Sequence, residues 1–124
     1  MTYSMKAIYF TAALTATTLA PSVGWSASVF VQNATVVNLL QDSVNYGGCM
    51  ARLSKNLIAE GLDCPADPYV TFDCLGKLGG SKSEGTSTFS GAQLAFAAGK
   101  TVDVVVDDSK KINGFCYARR VDVR

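Results

Sequence analysis

Histidine is absent from this 124-residue sequence. It is the commonest general base and metal ligand in proteins, so its absence removes the usual basis for both kinds of chemistry. The sequence also lacks the Gly-x-Ser-x-Gly turn of many hydrolases. Residues 76–83 approach a phosphate-binding loop, but Ser81 stands where that motif requires glycine. We therefore predict a protein that is not an enzyme and has no metal site and no cofactor.

An excess of charge of one sign is missing as well. The chain has eleven basic and ten acidic residues, a formal charge of +1. Nucleic acids and anionic membranes attract proteins mainly through clustered positive charge. A nearly neutral chain therefore predicts no nucleic-acid partner and no anionic membrane surface as partner.

Long hydrophobic runs are scarce, and the longest one lies near the N-terminus. Residues 7–20 follow Lys6, end at Pro21, and precede the small residues Gly24 and Ser26. This arrangement is typical of a secretory signal peptide, and the run is too short for a membrane span. We predict a signal peptide over residues 1–26 and one secreted or periplasmic domain over residues 27–124, without a membrane span. An uncleaved N-terminal anchor is the alternative.

The domain contains four cysteines, which predict two disulfides in a small exported chain. Residues 49–54 and 69–74 alternate as strands, and a symmetric antiparallel hairpin places Cys49 opposite Cys74 on the core face. The preferred pairing is therefore Cys49–Cys74 with Cys64–Cys116. Cys64–Cys74 with Cys49–Cys116 remains open, as does a zinc site of four scattered thiolates.

One further strand, a loop and a helix are predicted from local patterns. Residues 28–40 predict one long strand that bends near Asn33 or Asn38. Residues 75–88 predict an exposed, mobile loop. A helix then begins at an N-cap Ser90, with Gln93 as its capping-box partner and with Phe89 and Leu94 as a hydrophobic staple. We expect it to end at a left-handed Gly99.

The C-terminal residues predict a β-hairpin. Residues 101–106 alternate, with three valines on one face, and residues 107–114 predict a polar turn. In the last strand, residues 115–123, strict alternation points Phe115, Tyr117 and Arg119 inward. A buried lone guanidinium is costly, so we favour a bulge that turns Arg119 outward over a buried pair with Asp103.

The order of these elements predicts a fold that is mainly β with one short helix. Five strands with a helix after the third is the order of a small five-stranded OB-like Greek-key barrel, here stapled by disulfides. The run of residues 90–104, followed by a cysteine in the last strand, resembles the back half of small secreted OB-fold proteins. The B subunits of pentameric bacterial toxins are the best known of these. The resemblance implies a ring-forming, glycan-binding subunit.

Two polar loops, residues 41–48 and 107–114, predict the working surface. An aromatic ring beside amide and ammonium groups suits a sugar or a polar peptide. The candidate binding residues are Asn45, Tyr46, Lys110, Lys111 and Asn113. We predict a secreted, non-catalytic binding module with a carbohydrate or protein ligand.

Other functions remain as alternatives. One is a structural subunit of an extracellular assembly. Another is a small hydrolase built on carboxylates such as Asp73, Asp103 and Asp122, which we instead expect to face solvent.

The first strand also predicts a homo-oligomer. Residues 28–41 are apolar and free of proline and charge, so an unpaired edge there would pair with another subunit in a ring or a fibre. The competing interpretation is a monomer in which the last strand covers the first and closes the barrel.

Overall fold

The structure is a computed structural model that describes residues 28–124, so the predicted signal peptide lies outside the described residues. The described chain forms five strands and one helix. In chain order they are β1 (Ser28–Gln41), β2 (Cys49–Leu53), β3 (Tyr69–Thr71), α1 (Lys82–Ala98), β4 (Thr101–Ile112) and β5 (Phe115–Val123).

The strands form one sheet that closes on itself in the order β1-β2-β3-β5-β4. All neighbouring pairs are antiparallel except β3 and β5, which run parallel. This arrangement confirms the predicted OB-like barrel with a helix between the third and fourth strands. Within residues 28–124, no helix is both long enough and apolar enough to cross a membrane.

Strand β1 bends at two bulges, as predicted. The register shifts between Val31 and Ala34, where Asn33 has a φ of 52°, and again between Val36 and Asn38. The first half of β1 pairs with β4 and the second half with β2. Both neighbours belong to the same chain, and each half of β1 pairs with only one of them, so the homo-oligomer stays a prediction. The strand that closes the ring on β1 is β4, not the last strand.

Strands β2 and β3 pair two residues away from the predicted register. Ala51 lies opposite Val70, so Cys49 does not lie directly opposite Cys74. An even shift leaves every side chain on its face, so the core side stays as predicted. Strand β3 ends at Thr71, because the chain turns at Asp73, where φ is 57°.

Both preferred disulfides are present. Cys49–Cys74 and Cys64–Cys116 join Cα atoms 5.7 and 5.6 Å apart, across sequence separations of 25 and 52 residues. Loops of this length correspond to roughly 3–4 kcal/mol of stabilisation for each bridge, because the unfolded chain loses conformational freedom.

The helix begins earlier than predicted. Its N-cap is Ser81, whose hydroxyl accepts from the backbone N–H of Glu84, while the Glu84 carboxylate accepts from the N–H of Ser81. Ser90 lies within the helix and donates its hydroxyl to the carbonyl of Thr86, so the predicted N-cap and its capping box are wrong. The predicted end is confirmed, because Gly99 is left-handed with a φ of 62°.

One face of α1 packs against the barrel. Phe89, Ala92 and Ala95 are buried, and the Phe89 ring lies 5.5 Å from that of Phe72. Leu94, predicted as a staple partner, is 61% exposed because it lies on the opposite face.

The β4–β5 hairpin differs from its prediction in length and in phase. Strand β4 continues to Ile112, so the turn contains only Asn113 and Gly114, both with positive φ. In the part of β5 that precedes Arg119, Cys116 and Ala118 face the core, whereas Phe115 and Tyr117 are half-buried on the outer face.

The bulge predicted at Arg119 is present. Ala118 pairs with Val106 and Arg120 with Val105, which leaves Arg119 without a partner across the ladder and exposed. The valines at 102, 104 and 106 lie in the core, as predicted.

Two of the three aspartates expected to face solvent are buried. Asp73 and Asp103 are 3% and 1% exposed, and Asp122 is half-buried and bonded to Arg120. Asp103 accepts from the backbone N–H of Asn33 and forms an ion pair with Arg124, so it holds the first bulge of β1. Asp73 accepts from the N–H groups of residues 77 and 78. Burial is tolerated because each carboxylate has hydrogen-bond partners.

Candidate functional site

The predicted site residues do not form one surface. Tyr46 packs against Phe115, whereas the Lys110 ammonium lies over the ring of Tyr117 and the Lys111 ammonium bonds to Asp63 at 2.8 Å. The Asn45 amide donates to Asp42, and Asn113 forms the tight turn between β4 and β5. Lys110 and Lys111 therefore lie on different parts of the surface. Instead of the single predicted binding surface, the structure has two candidate surfaces.

The first surface is a row of three aromatic rings, which we call the aromatic row: Tyr46, Phe115 and Tyr69. The Tyr46 and Phe115 ring centroids are 4.7 Å apart, and those of Phe115 and Tyr69 are 5.8 Å apart. Both pairs are tilted, at 47° and 57°. Tyr46 is 37% exposed and the other two rings are half-buried. The row joins the β1–β2 loop to the first residues of β3 and β5.

The backbone around Tyr46 fixes the end of this row. The Tyr46 carbonyl accepts a 2.6 Å hydrogen bond from the hydroxyl of Thr71, which is fully buried. At the next residue, Gly47, a Cβ atom would lie 2.4 Å from the Thr71 hydroxyl oxygen and 2.9 Å from the Ile112 Cδ1. Only glycine fits this close approach at a φ of 82°.

Asp42 braces the same loop from its beginning. Its carboxylate accepts from the N–H groups of Asn45 and Val44 at 2.9 and 2.8 Å. These hydrogen bonds, the one from Asn45 foremost, lower the pKa of Asp42 because they favour the charged carboxylate. The Lys77 ammonium also donates to the Val44 carbonyl at 2.9 Å. The loop that carries Tyr46 is therefore held by several contacts before any ligand arrives.

Polar groups lie at the borders of the aromatic row. Arg52 is exposed and is the cross-strand partner of Tyr69, so the two side chains are neighbours on the outer face. Asn113 is two residues before Phe115 in the turn. Flat apolar faces beside hydrogen-bonding groups are what stacking on a sugar ring or on an apolar peptide side chain requires.

The second surface is a groove between the first half of α1 and the β4–β5 hairpin, which we call the helix groove. Its volume is about 760 Å³. The helix contributes hydroxyl groups and the hairpin contributes two cations and a ring. These lining residues are Ser83, Ser87, Thr88, Lys110, Tyr117 and Arg119.

The helix groove contains two cations, Lys110 and Arg119, and one carboxylate, Glu84. Among residues 28–124, the Lys110 and Arg119 side chains belong to no ion pair. The Lys110 nitrogen lies 5.8 Å from the Tyr117 ring centroid. The Glu84 carboxylate accepts a hydrogen bond from the Ser81 N–H and keeps its negative charge, so the lining carries two positive charges and one negative charge.

The groups around the helix groove change the pKa of the Tyr117 phenol. Burial raises the pKa of Tyr117, and the negative charges of Asp73 and Glu84 raise it further. Both effects disfavour the phenolate. Tyr117 is therefore a neutral hydrogen-bonding group and not a base at neutral pH.

A metal site finds no support in the described part of the chain. Residues 28–124 contain no group of three or more His, Cys, Asp or Glu side chains that could hold a metal ion. The four cysteines, the alternative zinc ligands, are all in disulfides.

Sequence reasoning missed Phe115, Tyr69 and Tyr117 as surface residues, and it predicted an exposed Arg119 without including it among the binding residues. A signal for Phe115 and Tyr117 was available in β5. Cys116 must lie inside the barrel if it bonds to another core cysteine, so its neighbours Phe115 and Tyr117 must face outward. Strict alternation that started from the aromatic residues chose the opposite phase.

The chain matches no protein-family model, no curated protein and no solved structure. The resemblance to toxin B subunits therefore stays a prediction, and the function rests on the two surfaces described above.

Proposed function

We propose that this protein is an exported, non-catalytic binding module whose ligand contacts the aromatic row. The observation that carries the proposal is the continuous contact of the Tyr46, Phe115 and Tyr69 rings on the outer face of the barrel. Loops at the end of an OB-type barrel, between strands 1 and 2 and between strands 4 and 5, are common ligand sites in this fold. The aromatic row lies where these two loops meet.

Two further features support this proposal. The disulfides are compatible with an oxidising extracellular or periplasmic compartment. The buried Asp73 and Asp103 carboxylates, which a hydrolase would need, are occupied by structural hydrogen bonds. A carbohydrate is the ligand that the row suits best, because tilted rings beside Arg52 and Asn113 match the apolar faces and hydroxyl edges of a pyranose.

A glycan array on residues 27–124 tests the proposal, followed by titration calorimetry on each hit. The key variant is Tyr46→Asn, because asparagine tolerates the φ of 53° at this position and removes only the ring. We expect a loss of affinity of about tenfold, as for one stacking contact of 1–3 kcal/mol.

Leu94→Ala is the matched control, since Leu94 is exposed on the far face of the helix. Unchanged affinity in Tyr46→Asn, or no binding anywhere on the array, would contradict the carbohydrate proposal. If the array shows no binding, a protein ligand, tested by pull-down, or a structural role becomes the better explanation. Light scattering on the same sample tests the homo-oligomer, which a mass of one chain would exclude.

A further inference from the structure

We propose that the helix groove is a separate binding site for an acidic oligosaccharide, a saccharide that bears carboxylate or sulfate groups. The site shares no residue with the aromatic row, so this inference does not depend on the ligand of that row. It rests on the cavity, on its two cations that form no ion pair within residues 28–124, and on the hydroxyl-rich wall that faces them.

The charge of the groove selects an anion. Lys110 comes from β4 and Arg119 from β5, and neither side chain has an acidic partner among residues 28–124. Arg119 is exposed because of the bulge in β5, which turns it out of the barrel and into the groove lining. A carboxylate or sulfate placed between them would form charge-assisted hydrogen bonds, the stronger kind.

The volume of the groove and the hydroxyl groups that α1 contributes to it favour a saccharide over a simple ion. A volume of about 760 Å³ lies within the range of small-molecule sites, roughly 300–1,000 Å³, and far exceeds one phosphate. Ser83, Ser87 and Thr88 contribute hydroxyl groups to the α1 wall of the groove. The Thr88 hydroxyl donates to the carbonyl of Glu84 and the Ser83 hydroxyl bonds to that of Ser81, so both retain acceptor capacity for a ligand. Hydroxyls both donate and accept, as the hydroxyls of a sugar do, whereas few large apolar side chains are present to hold a peptide.

The floor of the groove permits close approach of a ring. Gly80 lies next to the Glu84 carboxylate and the Tyr117 phenol, since a Cβ on it would be 3.2 Å from the Glu84 Oε2 and 3.7 Å from the phenolic oxygen. Tyr117 presents a half-buried ring with the Lys110 ammonium above it. A sugar ring therefore meets an aromatic surface, a phenol and a cation at one place.

The test uses oxidised residues 27–124 and three oligosaccharides of equal length. Oligogalacturonate carries carboxylates, a chondroitin sulfate oligosaccharide carries sulfates as well, and a cello-oligosaccharide is neutral. Calorimetry measures affinity, and NMR amide shifts locate the ligand. We expect one or both acidic chains to bind and to shift the signals of residues 83–88, 110, 117 and 119. The neutral chain is expected to bind at least about tenfold more weakly, because it lacks the charge-assisted contacts.

Two sets of variants distinguish specific binding in the helix groove from nonspecific electrostatic attraction of the ligand to the protein. Lys110→Gln with Arg119→Gln is expected to weaken acidic chains at least about tenfold, since both charge-assisted contacts are lost. Lys55→Gln with Lys100→Gln changes the net charge equally outside the groove lining, and we expect less than twofold. Ser87→Glu places a carboxylate in the groove and should abolish binding, while Ser87→Gln, of equal size, should retain most of it.

Several outcomes would overturn this proposal. They are equal weakening by the two double variants, equal effects of Ser87→Glu and Ser87→Gln, full competition by inorganic phosphate at constant ionic strength, or no binding. Circular dichroism of each variant excludes unfolding as the cause. Tyr46→Asn should leave groove binding unchanged, so failure of the aromatic row and failure of the groove are told apart.

Discussion

The two halves of α1 are helical for different reasons. The second half buries Phe89, Ala92 and Ala95 against the barrel, so an apolar stripe holds it. The first half is polar, and Gly85 is its one buried residue before Phe89. There the helix is fixed by the Ser81 cap and by a close approach of Gly85 to the backbone of residues 72 and 73. The comparison teaches that one helix can combine a segment stabilised by burial with a segment stabilised by a cap and one contact.

The polar half also satisfies its hydroxyl groups within the helix. Thr86 donates to the carbonyl of Lys82, and Thr88 donates to that of Glu84. Such bonds to the preceding turn let serine and threonine stay in a helix without a buried partner. They also leave the outer surface of this half polar, which is why it forms one wall of the helix groove.

The largest expected effect is that of Gly85→Ala. A Cβ at Gly85 would lie 2.5 Å from the Asp73 carbonyl oxygen and 2.6 Å from that of Phe72, and backbone beside the Cys49–Cys74 bridge has little freedom to move. We expect the free energy of unfolding, measured with urea on the oxidised protein, to fall by about 3 kcal/mol.

Gly91→Ala is the control in the second half of the helix. Its Cβ would meet only the Val121 side chain, at 3.7 Å, which is an ordinary contact. Alanine should therefore raise the free energy of unfolding by about 0.5–1 kcal/mol. Similar effects of the two substitutions would show that the close approach at Gly85 does not hold the first half.

The next effect concerns the cap. Ser81→Ala removes the acceptor of the Glu84 N–H and should lower the free energy of unfolding by about 1 kcal/mol. Ser90→Ala, at the position where the sequence predicts a cap, should be neutral or stabilising by up to about 0.5 kcal/mol, because alanine is the better helix former. If thermal or urea unfolding ranks Ser90→Ala as the more damaging change, the helix begins at Ser90 after all.

The smallest effect is electrostatic and concerns the helix groove. Glu84→Gln keeps a residue that suits the capping box but removes one of the charges that raise the pKa of Tyr117. The pKa of Tyr117 should therefore move down, and it should stay above its usual value because burial, the largest cause, is unchanged. Tyrosinate absorbance, with Tyr117→Phe as the reference, measures this shift.

Glu60→Gln is the matched control for the charge change, because Glu60 is exposed in the segment between β2 and β3. It should leave the pKa of Tyr117 where it is. A rise in the Tyr117 pKa in Glu84→Gln would contradict the placement of Glu84 beside the phenol.

Local signals predicted the elements whose causes are local. Gly99 ends the helix because a left-handed residue is needed there, and β5 has the predicted bounds because Asn113 and Gly114 form a tight turn before it. The disulfide pairing was also predicted, although the register of β2 and β3 was wrong by two residues. It survived because an even shift keeps Cys49 and Cys74 on the same side.

The binding residues were predicted less well, because loop composition does not say what a loop touches. Tyr46 was predicted from its loop, but its ring partner Phe115 comes from β5 and the next ring of the row, Tyr69, comes from β3. Lys110 and Lys111 are adjacent in sequence and part at the hairpin, one toward Tyr117 and one toward Asp63. The register of β4 shifts between Asp107 and Lys111, so Lys110 lies in an unpaired stretch while Lys111 pairs with Cys116. Loop composition does not reveal such a bulge.

The sequence by itself determined the order of the strands and the helix and the end of α1, and it favoured a bend in β1 and the cysteine pairing that the structure has. These depend on glycine at positive φ, on alternation and on an even cysteine count, which are properties of short segments. The start of α1 also has a local signal, the capping box of Ser81 and Glu84, which sequence reasoning missed in favour of Ser90.

Only the tertiary structure decided why Gly85 and Asp103 are buried. The partners of Gly85 and Asp103 lie at residues 72 and 73 and at Asn33, up to 70 residues away in the chain. A contact between distant segments has no local signature, because the residues that stabilise it become neighbours only when the barrel closes.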